Sequence, residues 1–348
     1  MSFFKKPLLG VDLGTRTIKG VQLKKSNSGK VSLVGHFFQD LSKTSNNFPA
    51  QCNRQEALKA ALEIQSLTSS NAATTVKDSE VMTFNLDLPS MSDKELQQVV
   101  PQEVAEQGQL NMDEHSCDYI VYPNTVKAHC VKKSVVLDQM KVLENVGLKP
   151  TNIESEMMAI TAMLEFNDYL DPKEVVVVFD LGESHVNSGL IAEGVLALTR
   201  TNRASFGQVN QELTNRCELS YEQAEKVKLD YDFLIGPGEE KTPITATLDD
   251  AFTEIFKAIK SDLEFYQECS ESMMHVDRVL LVGGGSQIKS AAKVIEKFLK
   301  VPAIVVNPFR NIDIFSNKES IEEVAELAPF MGTAVGLALA SISGGKAA

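Results

Sequence analysis

Short apolar runs that stop at an Asp or a Gly alternate along this chain with longer segments in which apolar residues recur every three or four positions. The first pattern predicts buried strands and the second amphipathic helices. Val175–Phe179 is an unbroken apolar run leading into Asp180-Leu181-Gly182. A run of this kind predicts a strand covered on both faces that opens into a tight turn. Asp12-Leu13-Gly14 repeats those three residues letter for letter, also after an apolar run, and Ile18 and Val186 resume apolar character at the same offset. The pattern predicts a β-hairpin with a polar, Gly-containing turn occurring twice, and with it a duplicated α/β core.

Further elements follow by the same reasoning. Val31–Phe38 and Val81–Leu88 predict strands, Gln55–Leu67 a helix, and the small, polar Ser69–Thr75 a loop. Ser92 and Glu95 form a capping box that opens a helix with Leu96, Val99, Val100 and Val104 inward and a kink at Pro101. Short strands at Tyr119–Tyr122 and Thr125–Val131 surround Pro123-Asn124. Ser134–Val146 predicts a helix burying Leu137, Met140 and Leu143. Helices are expected at Glu154–Phe166, from Gln208 after a turn at Phe206-Gly207, and after a second capping box at Ser220–Gln223. Leu234–Lys241 reads as a surface loop. Phe252, Ile255, Phe256, Ile259, Leu263 and Tyr266 mark a long amphipathic helix. Val195–Thr199, Arg278–Val282 and Ala303–Val306 predict strands, Gln287–Leu299 a helix, and Ala328–Ile342 a buried final helix. The Met157-Met158 and Met273-Met274 pairs read as core.

Composition narrows the class. The 348 residues suffice for two domains, and 43% apolar content supports a sizeable core. A net charge of -13 argues against nucleic-acid binding and against general adsorption to anionic lipid. Five cysteines at wide spacings, without a Cys-x-x-Cys, argue against a disulfide framework and a zinc site, and for a reducing cytoplasm. The first residues have no signal-peptide pattern, and no apolar run reaches the roughly 18 residues of a membrane span.

The candidate chemistry is nucleotide binding. Each hairpin turn, Gly14-Thr15-Arg16 and Gly182-Glu183-Ser184, presents backbone N–H groups to phosphate oxygens. Asp12 and Asp180 are the expected holders of Mg²⁺, largely through water, since Mg²⁺ dehydrates reluctantly. Gly283-Gly284-Gly285-Ser286, between a strand and a helix, lets backbone approach a ligand closely. A P-loop is absent, because neither Gly29-Lys30 nor Gly345-Lys346 is followed by Ser or Thr. A dinucleotide fingerprint fails at Ile288. Taken alone, each Asp is also a turn residue, Glu225 and Lys228 an exposed ion pair, and His185 a solvated loop residue.

These motifs resemble the phosphate and adenosine motifs of the actin, heat-shock chaperone and sugar kinase superfamily. The resemblance is closest to the PilM family of type IV pilus assembly, over essentially the whole chain. Leu88–Leu96, Asn145–Pro150, Val276–Leu281, Asn307-Pro308-Phe309 and Gly336–Ala340 also fit that family in order. The resemblance implies an actin-like (ribonuclease H-like) fold of duplicated domains with a small α+β insert. It implies a first core over 1–88 and 150–173, the insert over 89–149, a second core over 174–207 and 272–348, and a helical subdomain over 208–271. It further implies ATP as ligand, with Glu225 and Lys228 at the ribose and adenine, Gly207 near phosphate, and Glu156 as the water-positioning residue. Relatives commonly have Gly-Gly where this chain has Gly207-Gln208.

The expected role is an ATP-binding cytoplasmic scaffold, at most a slow ATPase. Its partner would be the N-terminal cytoplasmic tail of a PilN-type inner-membrane protein, bound between first core and insert. Other platform proteins and the assembly motor are further expected partners, with membrane association indirect. A sugar-kinase-type phosphotransferase lacks an acceptor-base motif here. An FtsA-like filament protein would carry a C-terminal amphipathic helix, which Ser341–Ala348 is not.

Overall fold

The computed structural model describes residues 8–43, 53–64, 67, 69–122, 125–232, 242–268, 275–314 and 321–340. The expected loop at Leu234–Lys241, Pro123-Asn124, Met273-Met274 and the last eight residues lie outside the described residues.

The duplication is explicit in the sheets. In the first half, β1 (Leu9–Leu13), β2 (Thr17–Lys25), β3 (Val31–Asp40), β4 (Asn71–Val76) and β8 (Lys149–Ser155) form a sheet of order β3-β2-β1-β4-β8. In the second, β9 (Val176–Leu181), β10 (Val186–Ala192), β11 (Val195–Asn202), β12 (Arg278–Val282) and β13 (Ala303–Val305) follow the order β11-β10-β9-β12-β13. Each sheet is an antiparallel three-strand meander extended by two parallel strands. The repeated hairpins are β1–β2 and β9–β10, so both Asp-Leu-Gly turns emerge from the same place in their sheets.

The two halves share a core. α4 (Glu156–Phe166) and α10 (Gly332–Leu339) pack against each other between the sheets. Met157, Ile160, Met163, Val335 and Ala338 join Val21 and Leu23 of the first sheet to Val178, Leu280 and Val282 of the second. α10, made last, lies on β1, β2 and β4 of the first half. The helices approach so closely that a Cβ on Gly336 would stand 1.8 Å from the carbonyl oxygen of Ala159. The second half adds α5 (Phe206–Cys217), α6 (Tyr221–Asp230), α7 (Pro243–Glu268) and α8 (Ala291–Leu299). Here Phe252, Ile255, Ile259 and Tyr266 of α7 face Phe179 and Leu281. On the first sheet, α1 (Arg54–Ile64) and α3 (Lys133–Glu144) bring Leu58 and Leu143 against Leu9 and Val11. α9 (Ile321–Leu327) precedes α10. No helix among the described residues is long and apolar enough to cross a membrane.

The insert holds β5 (Met82–Leu86), α2 (Asp93–Gly108), β6 (His115–Val121) and β7 (Val126–Lys132), with sheet order β5-β7-β6. β5 thus joins the insert's sheet although it precedes residue 89, and α3 packs on the first core although it precedes residue 150. The Ser92–Glu95 capping box is formed, and α2 runs through Pro101 with Leu96, Val100 and Val104 buried. Lys127 ties the insert to the second half. Its buried ammonium donates to the carbonyls of Leu196 (2.9 Å) and Ala197 (3.0 Å) on edge strand β11.

Several expectations are corrected. Ser69–Thr75 is not a loop. Most of it is strand β4, whose Ala72, Ala73 and Thr74 are fully buried between β1 and β8, where only small side chains fit. Glu154 and Ser155 end strand β8, so α4 begins at Glu156 with Ser155 as its cap. Phe206-Gly207 is the first turn of α5, because Ser205 and Gln208 form a capping box ahead of it. The helix expected from Gln287 begins at Ala291, after a 3₁₀ turn over 284–287. Leu137 is 50% exposed rather than inward. Cys117 and Cys130 are joined by a disulfide, because the β6–β7 register sets them directly opposite each other. Their spacing in sequence carries no local signal for that pairing.

Candidate functional site

The two repeated turns face each other across a cleft between the halves, and Thr15 Oγ1 of one donates to Ser184 Oγ of the other at 3.0 Å. Hairpin register decides which side chains reach it. Asp12 is paired with Lys19 across β1–β2, and Asp180 with Asn187 across β9–β10. Lys19 Nζ lies 2.6 Å from Asp12 Oδ2. Asn187 Nδ2 instead donates to Glu156 Oε2 at 2.8 Å, bringing the first turn of α4 to the second hairpin. His185 Nε2 is 3.4 Å from the same oxygen, and its Nδ1 is 2.7 Å from Ser184 Oγ.

The glycine turn closes the third side. Gly283 has φ +83°, and a Cβ there would stand 2.3 Å from Asp180 Oδ1. Only glycine lets this turn lie against the carboxylate. Gly284 and Gly285 also line the cleft. α6 supplies the fourth side: Glu225 is 2.6 Å from Lys228, whose Nζ also donates to the Phe206 carbonyl at 3.2 Å. This pair is largely buried rather than exposed. Arg16 crosses from the first hairpin to Glu225 at 2.5 Å, reaches Asp40 at 3.1 Å, and lies 5.6 Å from the centre of the Tyr221 ring. Tyr221 donates to Glu183.

Charge is unevenly balanced within the cleft. Burial, and then the neighbouring Glu156, push Asp180 up to about 6. Glu156 itself stays below the usual carboxylate range: burial opposes ionisation, but His185 and Asn187 overcome it. His185 is raised in turn by its hydrogen bond to Glu156. Behind them Asp78, which accepts from the backbone N–H of Met157 at 3.0 Å, is pushed to about 7 by burial and by Glu156. On the α6 side, burial would raise Glu225, yet Lys228 and Arg16 hold it at about 2. The hairpin end is therefore over-acidic and the α6 end compensated. A hydrated divalent cation fits the former. Among the described residues no three His, Cys, Asp or Glu are grouped for direct coordination, so such an ion would be held through water.

All the residues singled out from sequence line the cleft except Gly207 and Ser286. Gly207 supports the turn from behind, donating its N–H to the Glu183 carbonyl at 2.9 Å. Ser286 is buried and donates to the Gly283 carbonyl at 2.7 Å. Gln208 is occupied in capping α5. Sequence reasoning missed Lys19, Lys77, His185 and Phe330 in the lining, and Asn187 beside it. Lys19 and Asn187 were accessible through the repeat, since each stands seven residues after its Asp. The cavity volume is about 110 Å³, against roughly 300–1,000 Å³ for typical ligand pockets. The Arg16–Glu225 and Thr15–Ser184 contacts hold it narrow.

Two sheets of matched order, paired acidic hairpins facing across a cleft, and helices α4 and α10 between the halves define an actin-like protein. Solved structures agree with that class. That of the PilM-PilN type IV pilus biogenesis complex superposes with TM-score 0.80 at 19% identity, covering 97% of this chain and 99% of that one. The ethanolamine utilization protein EutJ from Carboxydothermus hydrogenoformans gives 0.50 at 16% identity, covering 95% and 88%. MreB5 of Spiroplasma citri bound to ADP gives 0.52 at 11%, covering 88% and 93%. The family model described as type IV pilus assembly protein PilM matches residues 10–342. The chain belongs to the PilM family.

Proposed function

We propose that this chain is an ATP-binding scaffold of the type IV pilus inner-membrane platform, which recruits the cytoplasmic tail of a PilN-type membrane protein. The observation that carries the reading is the cleft itself: two Asp-Leu-Gly turns and the Gly283–Gly285 turn converge from both halves. In this reading the turns at 14–16 and 182–184 bind phosphate through backbone N–H groups. Glu225 and Lys228 hold ribose and adenine once Arg16 has released Glu225. Asp12 and Asp180 hold Mg²⁺ through water, which when bound neutralises phosphate charge. Because the ligand touches both halves, it favours one arrangement of them over others.

In this reading Glu156 orients a water. His185 and Asn187 stabilise its charged form, and a carboxylate with so low a proton affinity is a weak base. Turnover is therefore expected to be slow. The tail is expected between the first core and the insert, which would bring the protein to the membrane periphery through its partner.

The test is capture of synthetic N-terminal tails of inner-membrane pilus proteins, with and without ATP·Mg²⁺. Binding of one tail that responds to nucleotide supports the scaffold. Binding of none overturns it, and fast, sugar-dependent ADP release would replace it with a phosphotransferase.

A further inference from the structure

A second cavity of about 240 Å³ shares no residue with the cleft and is lined by Lys30, Val31, Arg310, Asn311, Ile312 and Asp313. It forms where the β2–β3 hairpin of the first half meets the segment after β13 of the second. The join is rigid: Leu33 N–H donates to the Asp313 carbonyl and Asp313 N–H to the Val31 carbonyl, both at 2.9 Å. Lys24 and Lys25, which pair with Ser32 and Val31 on the same hairpin and so face opposite sides of it, add two exposed cations to the hairpin end that carries Lys30. All four are exposed. Arg310 stacks 5.1 Å from the Tyr169 ring, which fixes its guanidinium without neutralising it. No ion pair to any of the four occurs among the described contacts. The opposing carboxylates are Asp313 in the lining and Asp168, which accepts from Asn311 Nδ2 at 2.7 Å. The hairpin tip also carries hydroxyl groups at Ser26 and Ser28.

In a chain of net charge -13 such a group of unpaired cations is out of keeping with the rest of the composition. We infer that the β2–β3 tip and Arg310 form a phosphate-binding site that meets the headgroups of an anionic lipid surface. At about 240 Å³ the cavity is smaller than the roughly 300–1,000 Å³ of a typical ligand pocket. Lys24, Lys25 and Lys30 all stand on the exposed end of the β2–β3 hairpin, as suits a surface rather than a groove. Each cation brought to an anionic membrane raises partitioning by roughly fivefold, and salt weakens the effect within a Debye length. At physiological ionic strength that is too little to hold a strongly acidic protein unaided. It is enough to set its orientation once a partner raises the effective concentration at the membrane.

Co-sedimentation of the full chain with vesicles tests this. At low salt the protein should pellet with mixed phosphatidylglycerol–phosphatidylcholine vesicles and not with phosphatidylcholine alone, and raised salt should release it. The combined variant Lys24→Gln, Lys25→Gln, Lys30→Gln and Arg310→Gln changes only exposed side chains, so its thermal midpoint should match wild type. Its partitioning should fall at least tenfold. Lys257→Gln with Lys260→Gln, exposed on α7, should bind like wild type. Inorganic phosphate separates the sources. If it raises the thermal midpoint of wild type but not of the combined variant, while vesicles bind neither, the site takes free phosphate and the lipid assignment falls. Equal pelleting of the combined variant and wild type overturns the site itself. So does the absence of both a vesicle preference and a phosphate response, or binding to an acidic polypeptide in place of both.

Discussion

Asp78 is the residue whose protonation most directly tests the electrostatics of the cleft. An unfolded Asp titrates near 3.9, whereas burial and Glu156 push this one to about 7. Below both values it is protonated in either state and costs nothing. Between them the unfolded chain ionises and the native chain does not, so stability falls as pH rises, and the loss is complete above about 7. His185 adds to the trend: its raised value gives stability at low pH that is lost as pH rises through it. The ligand-free protein should therefore melt at a higher temperature at about pH 5.5 than at about pH 8. Asp78→Asn, which keeps an acceptor for Met157 N–H, should raise the midpoint at the upper pH by a few degrees and flatten the dependence. An unaltered slope would mean that Asp78 is ionised in the folded protein.

Arg16 and the acidic pair give sharper tests of the site. Arg16→Ala removes the contact that narrows the cleft, and association of a fluorescent ATP analogue should quicken several-fold. Slower association would make Arg16 a ligand contact rather than an obstruction. Asp12→Ala and Asp180→Ala should each weaken ATP·Mg²⁺ binding, measured by calorimetry, and unchanged affinity in both folded variants would refute the shared metal site. The two acids were legible because each ends an apolar run and is repeated. His185 was not, because its role depends on Glu156, which lies 29 positions earlier and reaches it only through the packing of α4.

At the scale of elements, the glycine contacts separate folding from binding. Gly336→Ala forces α10 away from α4 and should cost about 3 kcal/mol or more by denaturant midpoint, as overpacking of a tight core does. Gly283→Ala adds a strained positive φ to a clash with Asp180 and should lose nucleotide binding as well. Lys127→Met should leave the Leu196 and Ala197 carbonyls without their donor, a loss of about 1–3 kcal/mol. Hydrogen exchange should then quicken in β11 and the insert, and equal protection would show that Lys127 does not fasten them. Strands with bulky apolar runs, such as β9 and β12, were readable from sequence. β4 and β8 were not: one is built of Ala and Thr beneath close helices, and the other is a mostly polar edge strand.

Across the whole molecule, the duplication was legible in three repeated letters, and the sheets reproduce it strand for strand. What the sequence did not display is the closed cleft, since Arg16 and Glu225 come from opposite halves. Ligand binding should stabilise the entire chain. At a hundredfold excess over Kd, ATP·Mg²⁺ adds about 2.7 kcal/mol, a few degrees in midpoint for a chain of this size. The same addition to Asp12→Ala should produce little shift, and a full shift would place the ligand elsewhere.

The crossing of α10 onto the first sheet also sets an order of events in time. Strand β1 leaves the ribosome well before the helix that covers it, which is complete only at Leu339. The first half must wait, with that face of β1 uncovered, until the second half has been synthesised as far as α10. A stalled or truncated product lacking α10 would be an aggregation-prone client for chaperones rather than a working half-protein.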